Sequence, residues 1–294
     1  MEQNKKIQIL VPIDYSDCSI MACRYAMLIA AVTGGDIRLL HVYYLPAFDL
    51  IELSGTVQFQ TQVREELNTE LEQTEKENLQ KLVKELEKLR YRYKGKEFTF
   101  SYDVVPGIPS EDIIRYSEEL NPDLVVMGTH GKGKSSMLLG SVTESVIKKI
   151  KFPILSIPAD YKFIPGDQIR NLLYITEFDE SDFVSIKKLM SLIEPFNINM
   201  FFVHINNTAS EWDKIKMEGL KEYFRKVYNL SSVDYFIINS KNIFTELDQI
   251  IKEKEINILS LTSRKRNLFE RLFKTDLTKQ LFYNTRTPLL VFQS

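Results

Sequence analysis

Cysteine, histidine and tryptophan are scarce in this 294-residue sequence, which contains two, three and one of them respectively. Cys18 and Cys23 fall in one predicted helix, five positions apart and on different faces, so their spacing argues against a disulfide. Two cysteines are too few for a zinc site, and we interpret both as small buried apolar residues. The histidines His41, His130 and His204 are scattered, so no metal site is predicted.

Long apolar runs and an excess of charge of either sign are also missing. No run approaches the roughly 18 apolar residues that span a bilayer, and the N-terminal residues show no signal-peptide pattern. The net charge is -2 and the isoelectric point about 6.1, which gives no indication of nucleic-acid or membrane binding. With 44% apolar and 27% charged residues, the composition is typical of a globular protein of two ordinary domains, and we predict a cytoplasmic location.

Three short segments of the first half of the sequence recur in the second half. Early partners are 163 positions apart and late partners 135 apart, so the second half has 28 fewer residues in its middle. The difference falls at residues 45–93, predicted to be an insertion with an irregular loop over 45–62 and a charged, solvated helix over 63–93. The recurring segments are 9–15 with 172–178, 39–42 with 202–205, and 151–156 with 286–291.

Each half alternates short strands with helices. The strands are rich in Val, Ile and Leu without clean alternation, as expected of parallel strands buried on both faces. Ser16 or Asp17 can cap the first helix, and Pro109 begins a later one. The pattern predicts an α/β fold of two doubly wound, mainly parallel five-stranded sheets, in domains spanning residues 1–160 and 169–294. The first-half strands are predicted near 6–12, 36–43, 98–105, 123–128 and 153–157.

A glycine-rich loop follows the fourth strand and allows two interpretations. In the first, residues 128–135 match the P-loop pattern G-x-x-x-x-G-K-[ST], which would begin a helix near Lys134 and place Gly140 in its interior. Glycine inside a helix costs about 1 kcal/mol, and we find no second acidic strand end for magnesium. As an isolated pattern, this match carries a substantial risk of being a false positive.

The second interpretation begins the helix at Ser141. Residues 141–144 match a capping box, in which Ser141 bonds the amide of Glu144 and Glu144 reaches back. Apolar residues follow at helical spacing, and Gly140 lies just outside the helix, where its backbone can approach a ligand closely. The free amides and partial positive charge of such a helix start are the usual basis of phosphate binding.

The first strand end, the second strand end and the glycine loop together resemble the nucleotide-binding type of universal stress protein, over nearly the whole chain. The resemblance implies an adenine nucleotide as ligand: ATP, possibly with Mg²⁺, or AMP or ADP. It implies that Asp14 and Pro12 lie beside the adenine and that the backbone of Val42 meets the base. The residues that it assigns to the ribose and phosphates are Gly128, Gly131, Gly140 and Ser141. Those that it assigns to flanking ligand contacts are Met127, Val142 and Thr143.

One departure from the family pattern concerns the length of the loop. Eight residues separate Gly131 from Gly140, where the family usually has nine. A tighter loop would alter the geometry of the phosphate site.

The second half lacks the glycines of this loop. If the spacing of 135 holds throughout, Asp276 stands where Ser141 stands in the first half, and its carboxylate would repel a phosphate. Glu177 also replaces Asp14 with a longer side chain. We therefore predict that the second half keeps the fold without the ligand and has a structural or regulatory role. The other loop counterparts at this spacing are Ser263 for Gly128, Arg266 for Gly131 and Thr275 for Gly140.

The last strand of each half, around 154–156 and 289–291, is predicted to form a sheet edge, which invites pairing. The resemblance implies that the halves pack as an intrachain pseudo-dimer, and whether the chain also forms a homodimer is left open.

The leading functional hypothesis is a cytoplasmic stress-response module that binds ATP and acts on an unidentified protein partner. The alternatives are a slow ATPase, with His130 as the candidate general base, and a nucleotide-free interaction module that uses residues 45–93. No catalytic residue is assigned.

Overall fold

A computed structural model describes residues 6–44, 57–130, 140–158, 161, 169–178, 180–206, 210–228, 233–239, 242–263 and 287–293. Within these residues, ten strands form one sheet flanked by α-helices. The strands are β1 (Gln8–Ile13), β2 (Asp36–Tyr43), β3 (Phe100–Pro106), β4 (Leu124–Gly128), β5 (Ile154–Ile157), β6 (Asn171–Thr176), β7 (Asn199–Ile205), β8 (Asp234–Ile238), β9 (Ile258–Ser263) and β10 (Leu289–Gln293).

Seven α-helices connect these strands in the described part of the chain, and a short 3₁₀ helix (Arg90–Arg92) follows the second of them. None of the seven has the length and apolar character needed to cross a membrane. The helices are α1 (Asp17–Thr33), α2 (Val57–Leu89), α3 (Pro109–Leu120), α4 (Ser141–Lys149), α5 (Glu180–Ile193), α6 (Glu211–Tyr228) and α7 (Ile243–Glu253).

The predicted strands of the first half are all confirmed, with ends that shift by two residues at most. Of the two predicted candidates, Ser16 is the cap of α1, and Pro109 occupies the first turn of α3 as predicted. The prediction for the insertion is wrong at one boundary, because α2 begins at Val57 and the helix therefore extends into the predicted loop. Residues 45–56 of that loop, and most of the predicted linker over 158–169, lie outside the described residues.

The strand order confirms a doubly wound arrangement in each half. The sheet runs β3-β2-β1-β4-β5-β10-β9-β6-β7-β8, and all neighbours are parallel except the central pair, β5 and β10, which is antiparallel. The two predicted five-stranded sheets are therefore joined into one continuous sheet. The reason is that each half ends in an apolar edge strand, and the two edges satisfy their backbone hydrogen-bonding groups by pairing with each other.

The sheet is buried on both faces, which explains its uninterrupted apolar strands. Helices α1, α2, α5 and α6 pack on one face, and helices α3, α4 and α7 pack on the other. Cys18 and Cys23 of α1 are both buried free thiols, as predicted.

The strand register shows how the two halves correspond. His41 pairs with Val104, and His204 pairs with Ile237. Equivalent residues are thus 163 positions apart at the second strand of each half and 133 apart at the third. The first half therefore carries 30 extra residues between these strands, and the second half regains part of the difference later.

At the fourth strand of each half the spacing is 134. Val125 and Leu259 occupy equivalent registers in β4 and β9, each beside the first strand of its half. Gly128 therefore corresponds to Thr262. The predicted correspondence with Ser263, which assumed a constant spacing of 135, is wrong by one residue. In a strand, that difference moves a side chain to the opposite face of the sheet.

Candidate functional site

Strand ends and helices of the first half surround a cavity of about 330 Å³. It lies where β1, β2 and β4 end, which is the edge at which doubly wound sheets bind ligands. Nine of the ten residues proposed from the sequence line it, and the tenth, Gly131, lies outside the described residues. The nine are Pro12, Asp14, Val42, Met127, Gly128, Gly140, Ser141, Val142 and Thr143.

The cavity is also lined by residues that the sequence did not assign to ligand contacts. Ile13 and Leu40 belong to β1 and β2, whose ends were expected at the site, so the sequence could have indicated both. Pro109 and Ile113 come from α3, and nothing in the local sequence shows that this helix covers the strand ends. The sequence predicts His130 as a candidate general base but not as a residue that lines the ligand cavity. The additional lining residues are Ile13, Ser19, Leu40, Pro109, Ile113 and His130.

The turn after β1 is held by the carboxylate of Asp14. Its Oδ1 atom accepts hydrogen bonds from the backbone amide of Ser16 at 3.0 Å and from the Ser16 hydroxyl at 2.5 Å. The Ser16 hydroxyl oxygen in turn accepts from the amide of Ser19 at 3.2 Å and so caps α1. These bonds keep Asp14 at the wall of the cavity and fix the direction in which α1 leaves the strand.

Gly128 allows α1 to approach the end of β4 closely. A Cβ atom at this position would lie 2.6 Å from the Sγ atom of Cys18 and 2.9 Å from the Cys18 carbonyl carbon. Burial raises the pKa of the Cys18 thiol, which favours its neutral form. On the other side of the strand end, the Thr143 hydroxyl donates to the Gly128 carbonyl at 2.9 Å and ties α4 to β4.

Helix α4 begins at Ser141, as the second interpretation of the loop predicts. Its N-cap is Gly140, whose carbonyl accepts the amide of Glu144 at 2.9 Å. The predicted capping box, with Ser141 as the cap, is therefore wrong by one residue. The P-loop interpretation is also wrong, because Gly140 has φ -62 and ψ 140 and so does not lie in a helix interior.

Because the N-cap of α4 is a glycine, the cap residue itself places no side chain over the amides of the first turn. The amides of Ser141, Val142 and Thr143 precede the first intrahelical bond, which the Glu144 amide makes. All three residues line the cavity. Because these amides add to the partial positive charge of the helix N-terminus, they can bind an anion.

The residues between β4 and α4 that the structure describes are anchored at both ends. The amide of Gly140 donates to the carbonyl of Thr129 at 2.8 Å, and the amide of Thr129 donates to the carbonyl of Ile157 at 3.0 Å. His130 Nδ1 lies 2.7 Å from the Thr129 hydroxyl, at hydrogen-bonding distance. These bonds place a buried imidazole on the cavity wall.

The sequence model of the universal stress protein family matches residues 8–158, which are about half of the chain and include all of the cavity lining. The chain belongs to the universal stress protein family. A universal stress protein of Methanocaldococcus jannaschii is 31% identical over 156 residues, which cover 50% of this chain and 92% of that protein. A second one from the same organism is 32% identical over 154 residues, covering 52% of this chain and 82% of that protein.

The family fold extends through the second half of the chain. The crystal structure of a universal stress protein from Archaeoglobus fulgidus matches 100% of this chain and 99% of that one, with a TM-score of 0.70 and 17% sequence identity. This chain therefore shares its overall fold with that protein.

In the second half of this universal stress protein, a buried carboxylate takes the place of Ser19. Asp182 lies 163 positions after Ser19 and is only 4% exposed. It accepts hydrogen bonds from the hydroxyls of Tyr174 and Thr176, at 3.1 and 2.8 Å, and from the amide of Glu177 at 2.9 Å. The strand end that borders a cavity in the first half is thus locked by polar bonds in the second.

The same network includes the counterpart of Gly128. The hydroxyls of Tyr174 and Thr262 lie 2.6 Å apart, so a bonded side chain occupies the position of the glycine. The predicted loop counterparts Arg266, Thr275 and Asp276 lie outside the described residues, and their effect on an anion stays a prediction.

In the described ranges, no group of three or more histidine, cysteine or acidic residues is arranged to hold a metal ion. The acidic residue on the cavity wall is Asp14, and one of its oxygens already closes the turn after β1. A divalent cation at this site would therefore depend mainly on oxygens of the ligand and on water.

Proposed function

We propose that the first half of this universal stress protein binds an adenine nucleotide in the cavity and that the nucleotide is a regulatory ligand of a cytoplasmic stress-response module. ATP, possibly with Mg²⁺, is the leading candidate, and AMP or ADP would use the same contacts. The observation that carries the proposal is that the glycine-capped N-terminus of α4 forms one side of an apolar cavity. This combination offers a place for phosphates and a place for a base.

The apolar wall supports the placement of the base. Leu40, Val42, Met127 and Ile113 line the cavity, and each is less than 9% exposed. A planar base gains contact area on such a wall. Asp14 supplies a carboxylate at the edge of the same wall and can accept hydrogen bonds from an amino group or a ribose.

The size of the site and the α4 terminus support the placement of the phosphates. A volume of about 330 Å³ lies at the lower end of the range usual for small-molecule sites, roughly 300–1,000 Å³. Gly140 has a backbone conformation that any residue can adopt, so the conformation does not require glycine. We attribute the glycine to the space that a ligand needs over the α4 amides.

We further propose that the second half, 169–294, is a partner domain of the first, 1–160, and not a second nucleotide site. Its buried Asp182 network fills and locks the region that borders the cavity in the first half. The continuous pairing of β5 with β10 makes it a rigid support for the first half. Binding of a protein partner and further dimerisation would use surfaces outside this pairing.

The experiment that tests this function is calorimetric titration of the nucleotide-stripped protein with ATP and Mg²⁺, followed by AMP and ADP. We expect one site per chain. Two sites per chain would contradict the role given to the second half. No heat and no thermal stabilisation at millimolar ATP would contradict the proposal and favour the nucleotide-free interaction module.

Slow ATP hydrolysis is a second candidate function, because His130 lies on the cavity wall with its Nδ1 atom oriented by the Thr129 hydroxyl. An imidazole held in this way can act as a general base. His130→Ala would then abolish turnover while leaving ATP affinity nearly unchanged. Equal turnover in the variant would remove this candidate.

A further inference from the structure

We propose that nucleotide occupancy of the first half and the docking of helix α2 are linked through Tyr15, His41 and Glu75. The linkage would make α2, which lies in the 45–93 insertion, the element that reports the nucleotide to a partner. The proposal rests on the proposed function. It concerns the regulation of the same site, through residues that do not line the cavity themselves.

His41 connects the cavity wall to α2. Its Nδ1 atom lies 2.7 Å from the carbonyl oxygen of Ile13. Because a carbonyl can only accept, Nδ1 carries the proton and donates. Ile13 lines the cavity and directly precedes Asp14. On the other side of the ring, Nε2 lies 3.4 Å from the Glu75 carboxylate of α2 and donates to it when the ring carries a proton on both nitrogens.

Tyr15 forms a second connection beside the first. Its backbone adopts φ 60, a left-handed conformation that is uncommon for residues other than glycine, so its surroundings must hold it in place. The ring packs on His41 with 4.7 Å between centroids, and the phenol donates to the Glu75 carbonyl at 3.3 Å. Burial and the nearby Glu75 charge raise the pKa of Tyr15, so the phenol stays protonated and remains a donor.

The two halves of α2 are held to the sheet to different extents. Leu79, Val83 and Leu86 form a buried seam on the C-terminal half. Over residues 65–78, none of the side chains that the structure describes is fully buried. Leu71 packs partly buried against the core, and polar contacts add to it in this part of the helix: those of Glu75 and the 2.7 Å bond between Tyr43 and Asn68. Few buried apolar contacts make a segment the first to open, so these bonds decide whether it stays docked.

The second half repeats this cluster and provides an internal control. His204 Nδ1 lies 2.8 Å from the Thr176 carbonyl, its Nε2 atom lies 3.6 Å from Asp213 of α6, and its ring packs at 4.2 Å on Phe178. Phe178 has the same left-handed conformation as Tyr15, with φ 57, but it has no hydroxyl. The repeated cluster therefore joins a helix to a strand end that the Asp182 network already locks.

In the first half these contacts end at a cavity wall, whereas the described part of the second half has the Asp182 network at the corresponding strand end. A nucleotide that contacts Asp14 would restrict the end of β1 and so hold the Ile13 carbonyl toward His41. The His41 ring and the Tyr15 phenol would then retain Glu75 and the adjoining turns of α2. Because linkage is reciprocal, weakening the contacts to α2 lowers nucleotide affinity by the same factor by which the nucleotide stabilises the docked helix.

The test combines hydrogen exchange of residues 65–78 with ATP titration, in the full-length protein with Mg²⁺. We expect ATP to slow exchange of this segment about 5- to 10-fold, a coupling in the usual range. Tyr15→Phe and Glu75→Ala, which remove the contacts without touching the cavity, should abolish most of that protection and raise the ATP Kd by a similar factor. Asp213→Ala, the matched change in the second half, should leave both quantities unchanged.

The outcomes separate this inference from the function on which it rests. If the wild-type protein binds ATP but exchange over 65–78 is the same with and without it, the linkage is refuted while the nucleotide site stands. Wild-type ATP affinity in both Tyr15→Phe and Glu75→Ala would also refute it. If the wild-type protein does not bind ATP at all, the proposed function fails and takes the linkage with it. Exchange of β6 and β9, far from the altered contacts, reports whether each variant is folded.

Discussion

Gly140→Asp is the substitution that most directly tests where the phosphates bind. Gly140 is the N-cap of α4 and lies on the cavity wall, and its φ of -62 and ψ of 140 are accessible to aspartate without strain. Aspartate is among the preferred N-cap residues. We therefore expect the substitution to affect stability and ligand binding in opposite directions.

For the nucleotide-free protein, the expected change is small and favourable. Replacing a glycine cap by aspartate contributes a few tenths of a kcal/mol, and its charge at the helix N-terminus adds about 0.3–1 kcal/mol. The thermal midpoint should therefore stay unchanged or rise by about 1–3 °C.

For ATP binding, the expected change is large and unfavourable. The new carboxylate would accept hydrogen bonds from the amides of Val142 or Thr143, which the phosphates would otherwise use. It would also lie about 5 Å from a phosphate, where two like charges repel by about 1.5–3 kcal/mol at an effective dielectric constant of roughly 20–40. The ATP Kd should rise about 10- to 100-fold.

The assay pairs calorimetric titration with thermal unfolding, and Gly140→Asn serves as the matched control. Asparagine caps a helix about as well as aspartate but carries no charge, so it should lose less affinity. A Gly140→Asp variant that binds ATP with the wild-type Kd would refute the placement of phosphates at α4. A destabilisation of more than about 1 kcal/mol without ligand would refute the description of Gly140 as an open, unstrained cap.

Three further substitutions test the packing of the two halves. Gly128→Ala places a Cβ atom 2.6 Å from Cys18 Sγ and should destabilise the protein by about 1–3 kcal/mol in urea unfolding; adding Cys18→Ala should restore only part of this, because the carbonyl carbon at 2.9 Å remains. Thr143→Val removes the 2.9 Å bond to the Gly128 carbonyl and should cost about 0.5–1.5 kcal/mol, whereas equal stability of the valine and serine variants would show that the hydroxyl contributes nothing. Asp182→Asn removes one acceptor from a network with three donors, one of them the Tyr174 hydroxyl, and should cost about 1–3 kcal/mol. ATP affinity should not change in this last variant, and a loss of affinity would show that the Asp182 network supports the nucleotide site of the first half.

Local pattern was sufficient for most of the secondary structure and for much of the site. The strands of the first half, the Ser16 cap and the start of α3 follow from apolar runs and capping residues, which act over a few positions. The family resemblance placed nine residues around one cavity, because strand ends in a doubly wound sheet converge at one edge. The choice between Gly140 and Ser141 as the cap depends on a single backbone conformation, and the sequence pattern allowed both.

Which residues of the two halves are equivalent could be established only from the strand register. A constant offset of 135 assigned Gly128 to Ser263, whereas the pairing of β4 and β9 with their neighbours assigns it to Thr262. Insertions of a single residue in connecting segments leave no trace in the apolar pattern. Their position becomes visible only when hydrogen bonds align each strand with the next.

The sequence by itself determined the fold class, the repeat and the start of the helix proposed to bind phosphate, because each depends on residues close together in the chain. Tertiary structure alone decided that β5 and β10 join the halves, that α3 supplies Ile113 to the cavity, and that Glu75 meets His41 and Tyr15. The β5–β10 pairs join residues 133–137 positions apart, and Glu75 lies 34 positions from His41 and 60 from Tyr15. No local preference specifies such distances, since they follow from how the twisted sheet and its helices bury their apolar faces together.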